Sequence, residues 1–335
     1  MALPAVEAIR SVHPSDHLIG MVRAEHFDFA RRISAFDEIM SAPSGRGRRR
    51  VPLLWRAVQQ LRSARPDVAV VMAPSFEAAL IPWLARVPRR IGSKTDARGF
   101  LLTDVVSMSS DCHRRDEFFA LVDVLGAEVD TNVRCVALEA HDRAYVDRLF
   151  HNCGWLNDIC PIFINPAAAK LPRAWSAKRF EDLVLALRLG NPQRQIILHN
   201  RAPFELSSDW ASIQGVLAVG DTTLPQLCAL LERCSLYIGN DSGPAHLAAL
   251  FGVPTITLFG PSTPLLTGPR PKPGVSAIDL TAAFPCSPCR ERFYEECPSP
   301  PSLEGCPPCL EAISVRQVID KAEHVLSGSI LFSTT

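Results

Sequence analysis

Short apolar runs alternate with amphipathic stretches along most of the chain. DVAVVMAP precedes FEAALIPWLARV, PIFINP precedes AKRFEDLVLALRLG, and QIILHN, LPQLCALLERC, SLYIGN, AHLAALFG and TITLFG continue the series. Brief runs rich in β-branched residues fit buried strands, and apolar positions recurring at helical spacing fit helices laid on a sheet. The alternation therefore predicts βα units, parallel strands and an α/β fold. A break falls in FHNCGWLNDICP, between the helical AHDRAYVDRLF and the fresh strand PIFINP, which divides the chain into domains 1–155 and 156–335. The opening departs from the pattern. ALPAVEAIRSVHP places Leu3, Val6 and Ile9 at helical spacing, whereas a doubly wound domain ordinarily opens on a buried strand, so the first strand is missing from the expected order. RVPRRIG and SGRGRRR are turn-rich and basic and are predicted as loops of the first domain.

Composition narrows the class. With 335 residues, 47% of them hydrophobic and 21% charged, the chain can bury two ordinary cores. Basic and acidic residues balance at 35 each, which argues against a nucleic-acid partner held by overall charge, so charge has to be read locally. The start lacks the basic and apolar regions of an export signal, and the longest apolar stretch, VAVVMAPSFEAALIPWLARV, is broken by two prolines and Glu77. Eleven cysteines without an export signal point to reduced thiols in a cytoplasmic setting.

The chemistry concentrates in GNDSGPAHLAALFGVPTITLFGPSTP, residues 239–264. The stretch is predicted as strand, loop, helix and strand. In an open parallel sheet, ligands sit over the carboxyl ends of the strands, where NDSG and GPSTP would lie. Gly243 lets the backbone approach a ligand, and the N-terminal turn of the following helix is a seat for phosphate. Ser242 or Asp241 can cap that helix, while His246, one turn in, and the hydroxyls of Ser262 and Thr263 face the same edge. On local grounds alone the stretch is either an anion or nucleotide site or an ordinary capped turn.

The order of residues is more specific. The stretch resembles the signature of the heptosyltransferases of lipopolysaccharide synthesis, glycosyltransferase family 9, in which a Gly-x-Asp-Ser/Thr-Gly loop and a following His grip an ADP-sugar. VVMAPSFEAALIPWLARVPRRIG and FLLTDV resemble the N-terminal region of the family's second heptosyltransferases. INPAAAKLPRAWSAKRFEDL, RAPFE and LPQLCALLERC also fall in register. The resemblance implies the GT-B architecture: two Rossmann-like domains facing a central cleft, the acceptor on the first and the nucleotide-sugar on the second. It implies an inverting transfer of heptose from ADP-L-glycero-D-manno-heptose to the lipopolysaccharide inner core. The enzyme would sit in the cytoplasm, peripheral to the inner membrane, and act on an anionic lipid A/Kdo-heptose acceptor.

By the same resemblance, Asp241, Ser242, Gly243, His246, Glu205 and Lys170 would bind the donor. Arg173 would stabilise the leaving diphosphate, at a position where the family carries lysine. Ala167 and Ser176 stand where the family commonly has Gly and Pro. Arg89, Arg90, Lys94 and Arg98, together with Arg46, Arg48, Arg49 and Arg50, are basic candidates for the acceptor or the membrane surface. The family's general base is an Asp at the end of the first strand, just before a Leu-Pro pair that matches Leu3-Pro4. That base is expected upstream of Met1, through a misplaced start, a fragment or a non-catalytic relative. A member using another nucleotide-sugar stays open as well.

Cys286-Ser-Pro-Cys289 and Cys306-Pro-Pro-Cys309, with sixteen residues between them that include Cys297, have spacing suited to a structural zinc, with free thiols or redox-sensitive pairs as the alternatives. No catalytic metal is required, because Arg173 and a helix N-terminus can carry the positive charge.

Overall fold

The computed structural model describes residues 1–335 except 45–49, 134, 156–159, 169–170, 200–212, 290–296, 298–305 and 331–335. The chain divides into two compact units, Met1–Ala137 and Leu138–Thr335. The division falls earlier than the 155/156 boundary drawn from the sequence. The reason is the helix Ala140–Asn152, which packs on a helix of the second unit: Arg143 pairs with Glu232 at 3.0 Å and Arg233 with Asp147 at 3.0 Å.

In chain order, unit 1 contains α1 Leu3–Val12, β1 Ile19–Arg23, α2 Phe27–Ala30, β2 Glu38–Ala42, α3 Arg50–Ala64 and β3 Val68–Val71. It continues through α4 Phe76–Leu84, β4 Arg89–Ser93, β5 Asp104–Val106 and α5 Arg114–Asp123. All pairings are parallel, as predicted, but they form two separate sheets, β1-β2 and β3-β4-β5. The opening helix α1 joins them by side chains. Val6 packs near Val22 and Ile39 of the first sheet, Ala5 and Ala8 pack against Val122 of α5, and Met72, directly after β3, belongs to both groups. RVPRRIG, predicted as a loop, supplies strand β4. Its arginines are accommodated because Arg89 reaches Asp104 of β5, 3.0 Å away, and Ile91 carries the strand's buried face.

Unit 2 begins with α6 Ala140–Asn152 and follows with β6 Ile162–Asn165, α7 Ala177–Gly190, β7 Ile196–His199, β8 Val216–Val219, α8 Leu224–Glu232 and β9 Leu236–Asn240. Then come α9 Gly243–Leu250, β10 Thr255–Phe259, α10 Pro264–Thr267, β11 Ala277–Thr281, α11 Pro308–Glu311 and α12 Val315–Ile330. The strands form one parallel sheet in the order β11-β10-β9-β6-β7-β8. β6, β7, β9 and β10 are buried along their whole lengths, which is why they read as unbroken apolar runs. One face is covered by Phe180, Leu183, Val184 and Leu187 of α7 and by Val318, Ala322 and Val325 of α12, all packed on Ile164, Ile238 and Leu258. Trp175 is fully buried there, edge-on to Phe180, with its indole N–H donating to Ile313 O.

Two local devices set the helix starts. Thr223 and Gln226 form a reciprocal capping box at α8. Ser176, where the family commonly has proline, caps α7 by accepting from Arg179 N at 3.2 Å.

Because β6 sends the chain to one side and β9 returns it to the other, the order reverses between them. Gly239 lies on that seam. A Cβ there would sit 2.6 Å from Tyr237 Oη and 2.7 Å from Asn165 O, and the carbonyl belongs to the neighbouring strand. Overpacking of this kind costs about 1–3 kcal/mol. Gly239→Ala is therefore expected to lower the stability of unit 2 by that amount in denaturant unfolding, with an unchanged m-value.

Candidate functional site

The carboxyl ends of β6, β7, β9 and β10 meet at one edge of the unit 2 sheet, and the reversal between β6 and β9 is where an open parallel sheet opens a binding crevice. Two asparagines, each the last residue of its strand, tie the edge together. Asn240 donates to Pro166 O at 2.7 Å and accepts from Trp175 N at 3.0 Å, so the loop after β6 hangs from the end of β9. Asn165 works in the opposite direction, aiming its amide at Ala167 O, Tyr237 Oη and Ser242 Oγ over 3.1–3.2 Å. Its Oδ1 faces His199 Nδ1 at 2.9 Å, which makes Nδ1 the protonated nitrogen of that histidine. Burial pushes the Tyr237 phenol far up and keeps it a neutral hydroxyl inside the network.

The network changes the role expected for Ser242. It is the N-cap residue of α9 by position, but its side chain makes no capping bond, because Oγ is engaged by Asn165 and lies 3.4 Å from Tyr237 Oη. Asp241 is turned inward beside it, 5% exposed. Arg173, in the single helical turn Leu171–Arg173, places its guanidinium 3.5 Å from Asp241 Oδ2. Burial raises the Asp241 carboxyl, and Ser262, Arg173 and Thr267 partly pull it back. Among the described residues, a Cβ at Gly243 would meet no atom within 4 Å beyond its chain neighbours and its own helix backbone, so the first turn of α9 presents its backbone with the positive end of its dipole. His246 stands half-buried one turn further along.

Sequence reasoning thus placed Asp241, Ser242, Gly243 and His246 around one loop and helix start and, through the resemblance, gave Arg173 to the leaving diphosphate from a separate segment; the structure brings Arg173 to 3.5 Å from Asp241. Lys170 and Glu205 lie outside the described residues, as do Arg46, Arg48 and Arg49. The unit 1 candidates separate. Arg98 is fully buried and spends its guanidinium on Ser93 O, Ala73 O and Ser75 O, holding the loop after β4 instead of offering a charge. Arg89 is paired with Asp104, and Arg90 donates to Leu101 O and Val87 O. Lys94 is exposed.

Cysteines of the 286–309 segment lie beside the end of β10. Cys309 Sγ would lie 3.0 Å from a Cβ at Gly260, and Cys289 Sγ is 3.7 Å from Pro261 O. Burial, reinforced by the nearby thiols of Cys286, Cys297 and Cys289, pushes the Cys309 thiol up to about 11. Cys306 is buried with it. Among the described residues, no group of three or more His, Cys, Asp or Glu is arranged to hold a metal ion.

Several site residues had no motif to announce them: Asn165, His199, Tyr237, Asn240 and Asp279. The available signal was position, since INP and GND each put an asparagine at the predicted end of a buried strand, where ligands and loops are held. Asp279 of β11 sits in register with Thr257 of β10, and its Oδ2 would be 2.8 Å from a Cβ at Gly268. Among the described residues, Asp279 Oδ1 and Thr257 Oγ1 are buried without hydrogen-bond partners, a polar niche beside the end of β10.

The sequence model of "Glycosyltransferase family 9 (heptosyltransferase)" matches residues 54–298, well over half the chain. The chain belongs to glycosyltransferase family 9. It is 29% identical over 258 residues to lipopolysaccharide heptosyltransferase 2 of Salmonella typhimurium, covering 71% of this chain and 72% of that one. Among solved structures, a family 9 glycosyltransferase from Veillonella parvula superposes with a TM-score of 0.79 at 21% identity, over 98% of this chain and 93% of the other. The E. coli "ADP-heptose lps heptosyltransferase II" gives a TM-score of 0.71 at 19% identity, over 98% and 95%. The architecture is accordingly the GT-B type of this glycosyltransferase family, built from two Rossmann-like units.

Asp279 provides a test of the buried niche. Burial and the charge of Asp241 raise its carboxyl above the ordinary carboxylate range, to about 6. The folded state keeps that proton where the unfolded chain has released it, so stability falls as pH rises from about 4 through about 6. Asp279→Asn removes the burden: its melting temperature is expected to exceed the parent's at neutral pH, with the gain shrinking as pH is lowered toward about 4. A gain equal at all pH values would refute the raised carboxyl.

Proposed function

We propose that this family 9 enzyme transfers heptose, with inversion, from ADP-L-glycero-D-manno-heptose to the inner core of lipopolysaccharide, working at the cytoplasmic face of the inner membrane. The observation that carries the reading is the meeting of Asp241, Arg173 and the start of α9 over the sheet's reversal point. A diphosphate gains negative charge as it leaves the anomeric carbon. The backbone at Gly243 and the Arg173 guanidinium offer positive charge where that build-up occurs. In the free protein Arg173 is held against Asp241; when donor binds, the same guanidinium faces the diphosphate while Asp241 accepts from hydroxyls of the sugar. His246 is assigned to the phosphates from the first turn beyond. The lipopolysaccharide acceptor and the ADP-heptose donor come from what the Salmonella and E. coli relatives are named for. Among the described residues, no helix is long and apolar enough to cross a membrane, so contact with a lipid-anchored acceptor falls to a surface.

Two measurements test the reading. ADP is expected to raise the melting temperature of the protein, and Asp241→Asn to weaken the response to ADP-heptose more than the response to ADP. Equal stabilisation by ADP, UDP and GDP would sink the donor assignment. Arg173→Ala is expected to lower kcat by about 10²–10³, as for loss of one donor to a developing anion, with Arg173→Lys recovering part of it. A variant that raises KM alone, with kcat intact, would make Arg173 a binding group and not a stabiliser of the leaving diphosphate.

A further inference from the structure

Unit 1 carries a surface that the sugar-transfer site leaves unexplained. Between residues 39 and 95 there are eleven Lys and Arg but only Asp67 and Glu77 on the acidic side, in a protein whose charges otherwise balance at 35 and 35. Glu77 is spent on Arg50, 2.6 Å away. The same span holds exposed apolar residues on α3 and α4: Val51 at 66%, Trp55 at 52% and Trp83 at 45%.

These are parts of one patch. Ala57 and Val58 of α3 pack against Ile81 of α4, which sets the helices side by side and leaves Val51 and Trp55 on the flank beside the buried stripe. Arg62, on the same flank, lies 5.5 Å from the Trp55 ring and donates to Leu84 O at the end of α4. It also lines, with Trp83, Arg86, Pro88 and Arg90, an open groove of about 550 Å³. Indole rings flanked by arginines, with no carboxylate among the lining residues, match the interface of an anionic bilayer, where rings settle at headgroup level and guanidiniums meet phosphates. A nucleic acid would engage the arginines but give Val51 and the α4 flank nothing apolar to enter, so the aliphatic part of the patch favours lipid.

We propose that the α3–α4 flank is the face by which this protein docks on an anionic phospholipid membrane, through Val51, Trp55 and Trp83 with Arg62 and Arg86. This extends the membrane contact proposed above by naming the surface, and its test is independent of sugar transfer. Sedimentation with vesicles of phosphatidylethanolamine and phosphatidylglycerol is expected to carry the full chain down, with a blue shift of tryptophan fluorescence, and phosphatidylcholine vesicles to leave it in solution. Trp55→Ser and Trp83→Ser are each expected to weaken binding roughly tenfold, and Arg86→Glu to weaken it most at low salt. The variants should keep the parent's melting curve and its shift with ADP, which separates loss of docking from loss of fold or of the donor site. Equal binding to both kinds of vesicle, undiminished binding by the double tryptophan variant, or tighter binding to a mixed-sequence oligonucleotide than to vesicles would overturn the proposal. Loss of the ADP shift in the parent protein would instead strike at the donor assignment and leave this surface standing.

Discussion

The second unit depends on two asparagines exchanged across the seam between β6 and β9. Asn240 holds Pro166 O and Trp175 N, and Asn165 holds Ser242 Oγ. A parallel sheet pairs its strands through the backbone but does nothing for the loops beyond their ends, and a reversal of strand order leaves those loops to diverge. The asparagine amides, each able to donate and accept, close that opening with directional bonds in a buried setting where leaving any of them unmade is costly. The position of Arg173 follows from this, since the Trp175 backbone that Asn240 fixes lies two residues beyond it.

The arrangement also explains how the site holds charge without losing the fold. Asp241 is buried and raised, Asp279 near it is raised by burial and by the charge of Asp241, and Arg173 with nearby hydroxyls is the counterweight at Asp241. A carboxylate raised by burial gains most when hydroxyl donors or a cation arrive, and it stands at the end of β strands that are themselves fully buried. Unit 1 is built differently. Its two small sheets are joined through α1; Arg98 and Arg89 are locked on backbone and carboxylate partners, while Arg62 of the α3–α4 flank lies over the Trp55 ring as it donates to Leu84 O.

Much of this was legible in the residue pattern. The strands of unit 2 announced themselves as apolar runs because both faces of a parallel sheet are covered, and α7 and α8 because their caps and apolar spacing are local. The Asp241–Gly243 loop was legible for a similar reason: a strand end, a turn and a helix start are contiguous in sequence. What escaped was whatever required distant segments. Strand β4 was read as a basic loop because Arg89 finds its partner, Asp104, only once β5 lies alongside. Ser242 was read as one of two candidate caps because the partner it takes, Asn165, is supplied by another strand.

The sequence by itself therefore determined the α/β architecture, the parallel sheet and the family to which the chain belongs, since each rests on local periodicity and on motif order. Tertiary structure alone decided that Asp241 and Arg173 form a pair, that Asp279 lies close enough to Asp241 to be raised by its charge, and that Arg98 is a buried staple. Burial and contact set the charge state and availability of a side chain, and both are properties of the neighbours that folding brings, which no run of adjacent residues contains.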